Sequence, residues 1–148
     1  MLTEKDYCDY DTCVALKELG YEVPTSAYYM PSNGTLLFVS NPFRGGYAMD
    51  CFYSHNSLRE GVVTSNYIDA PTLWEAQRWL REKGIFVHIS HPLRVENDVF
   101  WNYEVLDEAW DDGKQNPCVC ASGGLFDSYE GALQKGIKQA IKILKEEK

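Results

Sequence analysis

The sequence predicts an α+β fold with a mainly antiparallel sheet of five or six strands. Three helices, at about residues 3–19, 72–83 and 128–146, are expected to pack mostly on one face. Three observations carry this. Two segments have apolar residues at helical spacing behind a capping signal. Between them lie short β-rich runs separated by turn residues. The order of those runs does not alternate strand with helix, as a parallel sheet requires. A chain of 148 residues is read as one domain, residues 1–148. A domain of that size buries enough surface to fold without disulfide or metal.

Residues 3–19 form the first expected helix. Thr3 and Asp6 have weak cap spacing, and Cys8, Thr12, Ala15 and Leu19 form one stripe, with Tyr7, Tyr10 and Val14 beside it. Gly20 gives the stop, and Pro24 prevents continuation. Residues 27–30, then Pro31 to Gly34, then residues 35–39 read as strand, turn, strand, because Asn33 and Gly34 tolerate positive φ. A loop at 41–46 leads to a strand at 47–53. Residues 54–61 are polar and loop-like, and 62–68 form a further strand. At 72–83, Thr72 and Glu75 have capping-box spacing, and Leu73, Ala76 and Leu80 make the apolar stripe, which Trp79 widens. Lys83 and Gly84 end this helix. Residues 85–89 are a strand, 91–98 a loop and 99–106 an aromatic-rich strand. Glu104, Asp107, Glu108, Asp111 and Asp112 form an acidic cluster running into an exposed loop. Residues 118–121 are a short strand. The last helix has Asp127 with Glu130, or Ser128, as its cap, and Leu133, Ile137, Ala140, Ile141 and Leu144 as its stripe.

Composition excludes several classes. No run of 18 apolar residues occurs, so no membrane span is expected. The acidic N-terminus lacks a secretory pattern, and the five cysteines are an odd number. Free thiols in the cytoplasm follow as the expectation. The net charge of −8 disfavours direct nucleic-acid binding, which needs clustered Lys and Arg.

Three pieces combine into a resemblance. The N-terminal part carries Cys8 and Cys13 followed by Ala-Leu-Lys-Glu-Leu-Gly-Tyr, then Pro-Thr-Ser-Ala-Tyr-Tyr. The helix Ala70-Pro-Thr-Leu-Trp-Glu-Ala-Gln-Arg-Trp-Leu-Arg-Glu and the terminal Phe126-Asp-Ser-Tyr-Glu-Gly-Ala-Leu-Gln-Lys-Gly-Ile complete it. These resemble a widespread group of small proteins of gut Bacteroidetes, their prophages and their phages, a group with no assigned activity. The resemblance covers roughly half the chain. It implies a cytosolic accessory protein of a mobile element and transfers no catalytic residue.

No motif for a reaction stands out. Cys51 with His55, and His88 with His91, are the outside candidates for a metal, but their spacing is not that of a structural zinc site. The plain reading is a strand histidine and a loop histidine, so neither metal nor cofactor is expected. Cys118 and Cys120 share a strand face at a spacing that is not C-x-x-C, and read as small buried hydrophobes. Cys51, His55, His88 and Asp69 are raw materials for nucleophilic catalysis, but no spacing selects them. Arg44-Gly45-Gly46 and Ser122-Gly123-Gly124 read as turns before they read as anion cradles. Lys135, Lys138, Lys142 and Lys145 form a solvated stripe that could also meet an acidic partner.

The aromatic content speaks most directly. Four Trp and ten Tyr exceed the needs of one small core. Tyr28, Tyr29, Phe43, Arg44, Tyr47, Trp74, Trp101 and Trp110 are therefore the candidate binding residues. Trp, Tyr and Arg are the types that anchor interfaces, although most such residues simply pack on a sheet. The function expected is a non-enzymatic module that binds a protein partner or itself, as a homodimer. An acidic DNA mimic or anti-defence protein is the second reading. A small Cys/His-dependent enzyme is the third.

Overall fold

The computed structural model describes residues 2–30, 33–38, 67–90, 93–107, 118–121 and 125–146. The chain divides into two compact units, Met1–Thr72 and Leu73–Lys148. The α+β class and the antiparallel pairing are as the sequence predicts. Eight strands occur among the described residues, in two three-stranded sheets and one two-stranded ribbon.

In the first unit the expected long helix is interrupted. A 3₁₀ turn covers Glu4–Asp6, and α1 runs over Tyr10–Glu18. The Asp6 carboxylate accepts from the Thr3 N–H at 2.6 Å and from its hydroxyl at 3.2 Å. The break has two causes. Asp9 is the stronger cap, accepting the Thr12 N–H at 2.9 Å. The backbone ahead of it is extended and bound elsewhere: Tyr7 bridges Thr72, and the Cys8 N–H donates to the Pro71 carbonyl at 3.0 Å. Shifting the start moves the buried face to Thr12, Cys13, Leu16 and Leu19. Gly20, at φ 93°, closes the helix, and the Tyr21 N–H reaches the Leu16 carbonyl.

Strands β1 (Ala27–Met30) and β2 (Thr35–Phe38) form the expected hairpin, with Met30 opposite Thr35. Gly34 takes φ 67°, and Asn33 Oδ1 accepts the Thr35 N–H. β3 (Ile68–Asp69) pairs with the other edge of β1, and α1 packs against β3.

The second unit begins with α2 (Leu73–Glu82). It buries Leu73, Ala76, Trp79 and Leu80, the stripe and its widening as the spacing predicts. Gly84, at φ 88°, turns the chain into β4 (Ile85–Ile89). β4 pairs with β7 (Tyr103–Asp107), which pairs with β8 (Cys118–Ala121). The register slips by one residue at Val105/Leu106, a β-bulge.

Two expectations fail between β4 and β7. Residues 91–98, expected as loop, contain β5 (Leu93–Val95), which pairs with β6 (Asp98–Phe100) around Glu96 and Asn97. Glu96 takes φ 57° without being glycine, so the usual two-residue turn signal is missing from the sequence. The expected strand 99–106 is two strands. At Trp101 the chain leaves the ladder and exchanges two backbone hydrogen bonds with Phe126, at 2.8 and 3.0 Å.

α3 (Tyr129–Glu146) packs on β4, β7 and α2. Of the two caps the sequence offers, Ser128 is used: its hydroxyl accepts the Gly131 N–H at 2.9 Å. Ser128→Ala is expected to cost about 1 kcal/mol in urea unfolding. A cost within error would show that the helix start is held by the Trp101–Phe126 pairing alone.

Candidate protein-contact surface

The predicted binding residues part company once placed. In the first unit, Tyr29 is corrected from surface to core. It is buried, its hydroxyl donates to the Cys8 carbonyl at 2.9 Å, and its ring meets Tyr10 edge-on at 5.6 Å. Tyr28 is half-buried and stacks edge-on with Tyr67 at 4.8 Å. Tyr7 meets Phe38 in the same way, and its hydroxyl is 3.0 Å from Ser26 Oγ. Much of this unit's tyrosine content is thus absorbed by edge-to-face pairs. Burial raises the Tyr29 phenol, helped by Cys13, and burial raises Tyr28, helped by Tyr67.

The same unit packs Cys8 and Cys13 into its core. Cys8 stands two positions before the first turn of α1, and Cys13 is the fourth residue of the helix. Those are the positions of a hydrophobic staple, here made of two thiols. Both are fully buried, and Cys13 donates to the Cys8 carbonyl at 3.6 Å. Burial pushes the Cys13 thiol far up, and Cys8, Asp9 and Asp69 push the same way, so no thiolate forms at neutral pH. Asp69 is itself buried and receives the Thr25 hydroxyl at 3.4 Å. No group of three His, Cys, Asp or Glu side chains able to hold a metal occurs among the described residues.

In the second unit the aromatic residues divide by role. Trp101 is half-buried and meets Tyr129 edge-on at 5.4 Å, and Tyr103 lies against Phe126. These contacts hold the start of α3 against the sheet. Trp79 is buried, with the Lys83 ammonium 5.2 Å above its ring. Trp74 is different: it is 40% exposed on the outer side of α2. His88 is exposed, on the face of β4 opposite Val87. Asp107, one member of the acidic cluster read from the sequence, is buried at the end of β7. Phe43, Arg44, Tyr47, Trp110, Cys51, His55 and His91 lie outside the described residues.

Sequence reasoning missed the most exposed apolar element among the described residues. On the β5–β6 ribbon, Leu93 is 52%, Val95 46% and Val99 37% exposed. Leu93 and Val95 share one face of the ribbon, whereas Val99, opposite Arg94, lies on the other. A two-stranded ribbon has no sheet behind it to bury such side chains. Only the β-branched pair Val95 and Val99 hinted at it, and the lack of a glycine at the turn hid it.

Charge is also segregated. The segment 73–83 and α3 together carry Arg78, Arg81, Lys83 and the four α3 lysines against four glutamates, in a chain of net charge −8. No helix among the described residues is long and apolar enough to cross a membrane. Comparison with family models, with curated proteins and with solved structures gives no match.

Proposed function

We propose that this chain is a small cytoplasmic, non-enzymatic binding module that works through protein–protein contacts. Its resemblance to phage and prophage proteins suggests that it serves a mobile element. The observation that carries the reading is the β5–β6 ribbon, whose three aliphatic side chains stand exposed with no covering layer among the described residues. Exposed apolar side chains gathered on one short element mark contact sites more often than chance surface. The buried Asp69 and Asp107 take two carboxylates out of any DNA-like surface row, and Cys51 and His55, on which the enzymatic alternative rests, lie outside the described residues.

The test is light scattering on the purified protein together with affinity capture from the native host. Both are repeated with Leu93→Asp/Val95→Asp. The reading expects a dimer or a stoichiometric protein partner, lost in the double variant while circular dichroism stays unchanged. A monomer that captures nothing, or capture indifferent to both substitutions, overturns it.

A further inference from the structure

We infer that the outer face of α2 is a docking site for a carboxylate-rich segment of a partner protein. The inference rests on the binding-module reading but uses a different surface. Trp74, Arg78 and Arg81 fall at i, i+4 and i+7, so they line one side of the helix, away from Leu73, Ala76 and Leu80. All three are exposed. Fold stability does not require them there: α2 already buries four apolar residues, Trp79 among them, and a polar residue at position 74 would cost the helix little.

The composition of the stripe selects the occupant. An indole offers a large flat contact at low entropic cost, and a guanidinium matches a carboxylate with two parallel hydrogen bonds. Arg78 meets Glu82 at 3.4 Å, but both side chains are solvated, so that pair is weak and exchangeable. Arg81 makes no ion pair among the described residues. α3, which packs against α2, carries four lysines against two glutamates, although the chain as a whole is strongly acidic. A carboxylate-rich segment is attracted to this face and repelled elsewhere, which fixes where it lands.

The probe is a fluorescein-labelled synthetic peptide of about sixteen residues alternating glutamate with leucine, followed by anisotropy on the full chain. Binding is expected, weakening at least tenfold in Arg78→Ala/Arg81→Ala and severalfold in Trp74→Ala. It should also weaken as salt rises from roughly 50 to 500 mM, because the attraction is screened. A lysine–leucine peptide of the same length should not bind. The substituted positions are exposed, so unchanged circular dichroism separates a lost contact from a lost fold. No binding of the acidic peptide, or binding indifferent to all three residues, overturns the inference. The ribbon variant Leu93→Asp/Val95→Asp separates the two ideas. If it abolishes partner capture while the α2 variants leave capture and peptide binding unchanged, the binding-module reading stands and the α2 site falls.

Discussion

Gly136→Ala is expected to destabilise the protein by about 1–2 kcal/mol, although helix propensity alone favours alanine by about 1 kcal/mol. A Cβ at position 136 would stand 2.6 Å from Val87 Cγ1 and 3.3 Å from Tyr103 Cβ and Cγ. α3 lies so close to β4 and β7 at this point that the space for a methyl group is already filled. Overpacking of this kind costs about 1–3 kcal/mol, more than the propensity gain returns. Valine at 87 is β-branched and stiff at χ1, so it cannot swing aside cheaply. The check is a double-mutant cycle with Val87→Ala, measured by urea unfolding. Removing Val87 Cγ1 should relieve the clash, leaving the double variant more stable than the sum of the single effects by about 1 kcal/mol or more. Additive behaviour would show that the glycine is there for reasons other than this contact.

The second large effect is alkaline destabilisation of the first unit through Cys13. Its thiol, at 9.0 in its ordinary state, is raised in the folded protein by burial, then by Cys8, Asp9 and Asp69. Below about pH 9 the thiol is protonated in both folded and unfolded chains, and its contribution is fully present. Above that pH the unfolded chain releases the proton and the folded chain does not. Stability then falls by up to about 1.4 kcal/mol per pH unit for this one group, until the folded thiol also ionises. Tyr29 adds to the loss in the same direction, beginning above its ordinary value of 10.0. Cys13→Val keeps an apolar side chain in the staple and removes the titration. Urea unfolding across about pH 8 to 10.5 should therefore show a shallower decline in Cys13→Val than in the unsubstituted chain. Equal slopes would mean that the thiol is not the group that titrates. The Cys8 carbonyl keeps the Tyr29 hydroxyl as a donor in the variant, so no buried acceptor is stranded.

Local chemistry legible in the residues themselves survived folding. The α2 stripe, the stop at Gly84, the β1–β2 hairpin around Asn33 and Gly34, and the apolar face of α3 each follow from spacing or from one residue's backbone preference. These signals lie within a few positions of one another, so no distant partner is needed to read them. What depended on distant partners was not legible. Thr3 and Asp9 compete to start the first helix, and Asp9 wins because Pro71 and Thr72 claim the intervening backbone. Phe126 takes Trp101 out of a continuous strand, and Val87 with Tyr103 turns Gly136 from a weak helix residue into a required one.

The candidate surfaces divide along the same line. That Trp74, Arg78 and Arg81 share a helix side is fixed by a 3.6-residue period, and so is present in the sequence alone. Burial is not periodic. Tyr28 and Tyr29 look alike in sequence, yet Tyr29 is sealed in the core by a hydrogen bond to Cys8, whereas Trp74 stays in solvent. The sequence by itself determined the fold class, the faces of α2 and α3 and the charge. Tertiary structure decided which aromatic residues are spent on packing and which remain for a partner. It also built the apolar β5–β6 ribbon, because a positive φ at Glu96 has no compositional signature and becomes favourable only when the two strands it joins can pair.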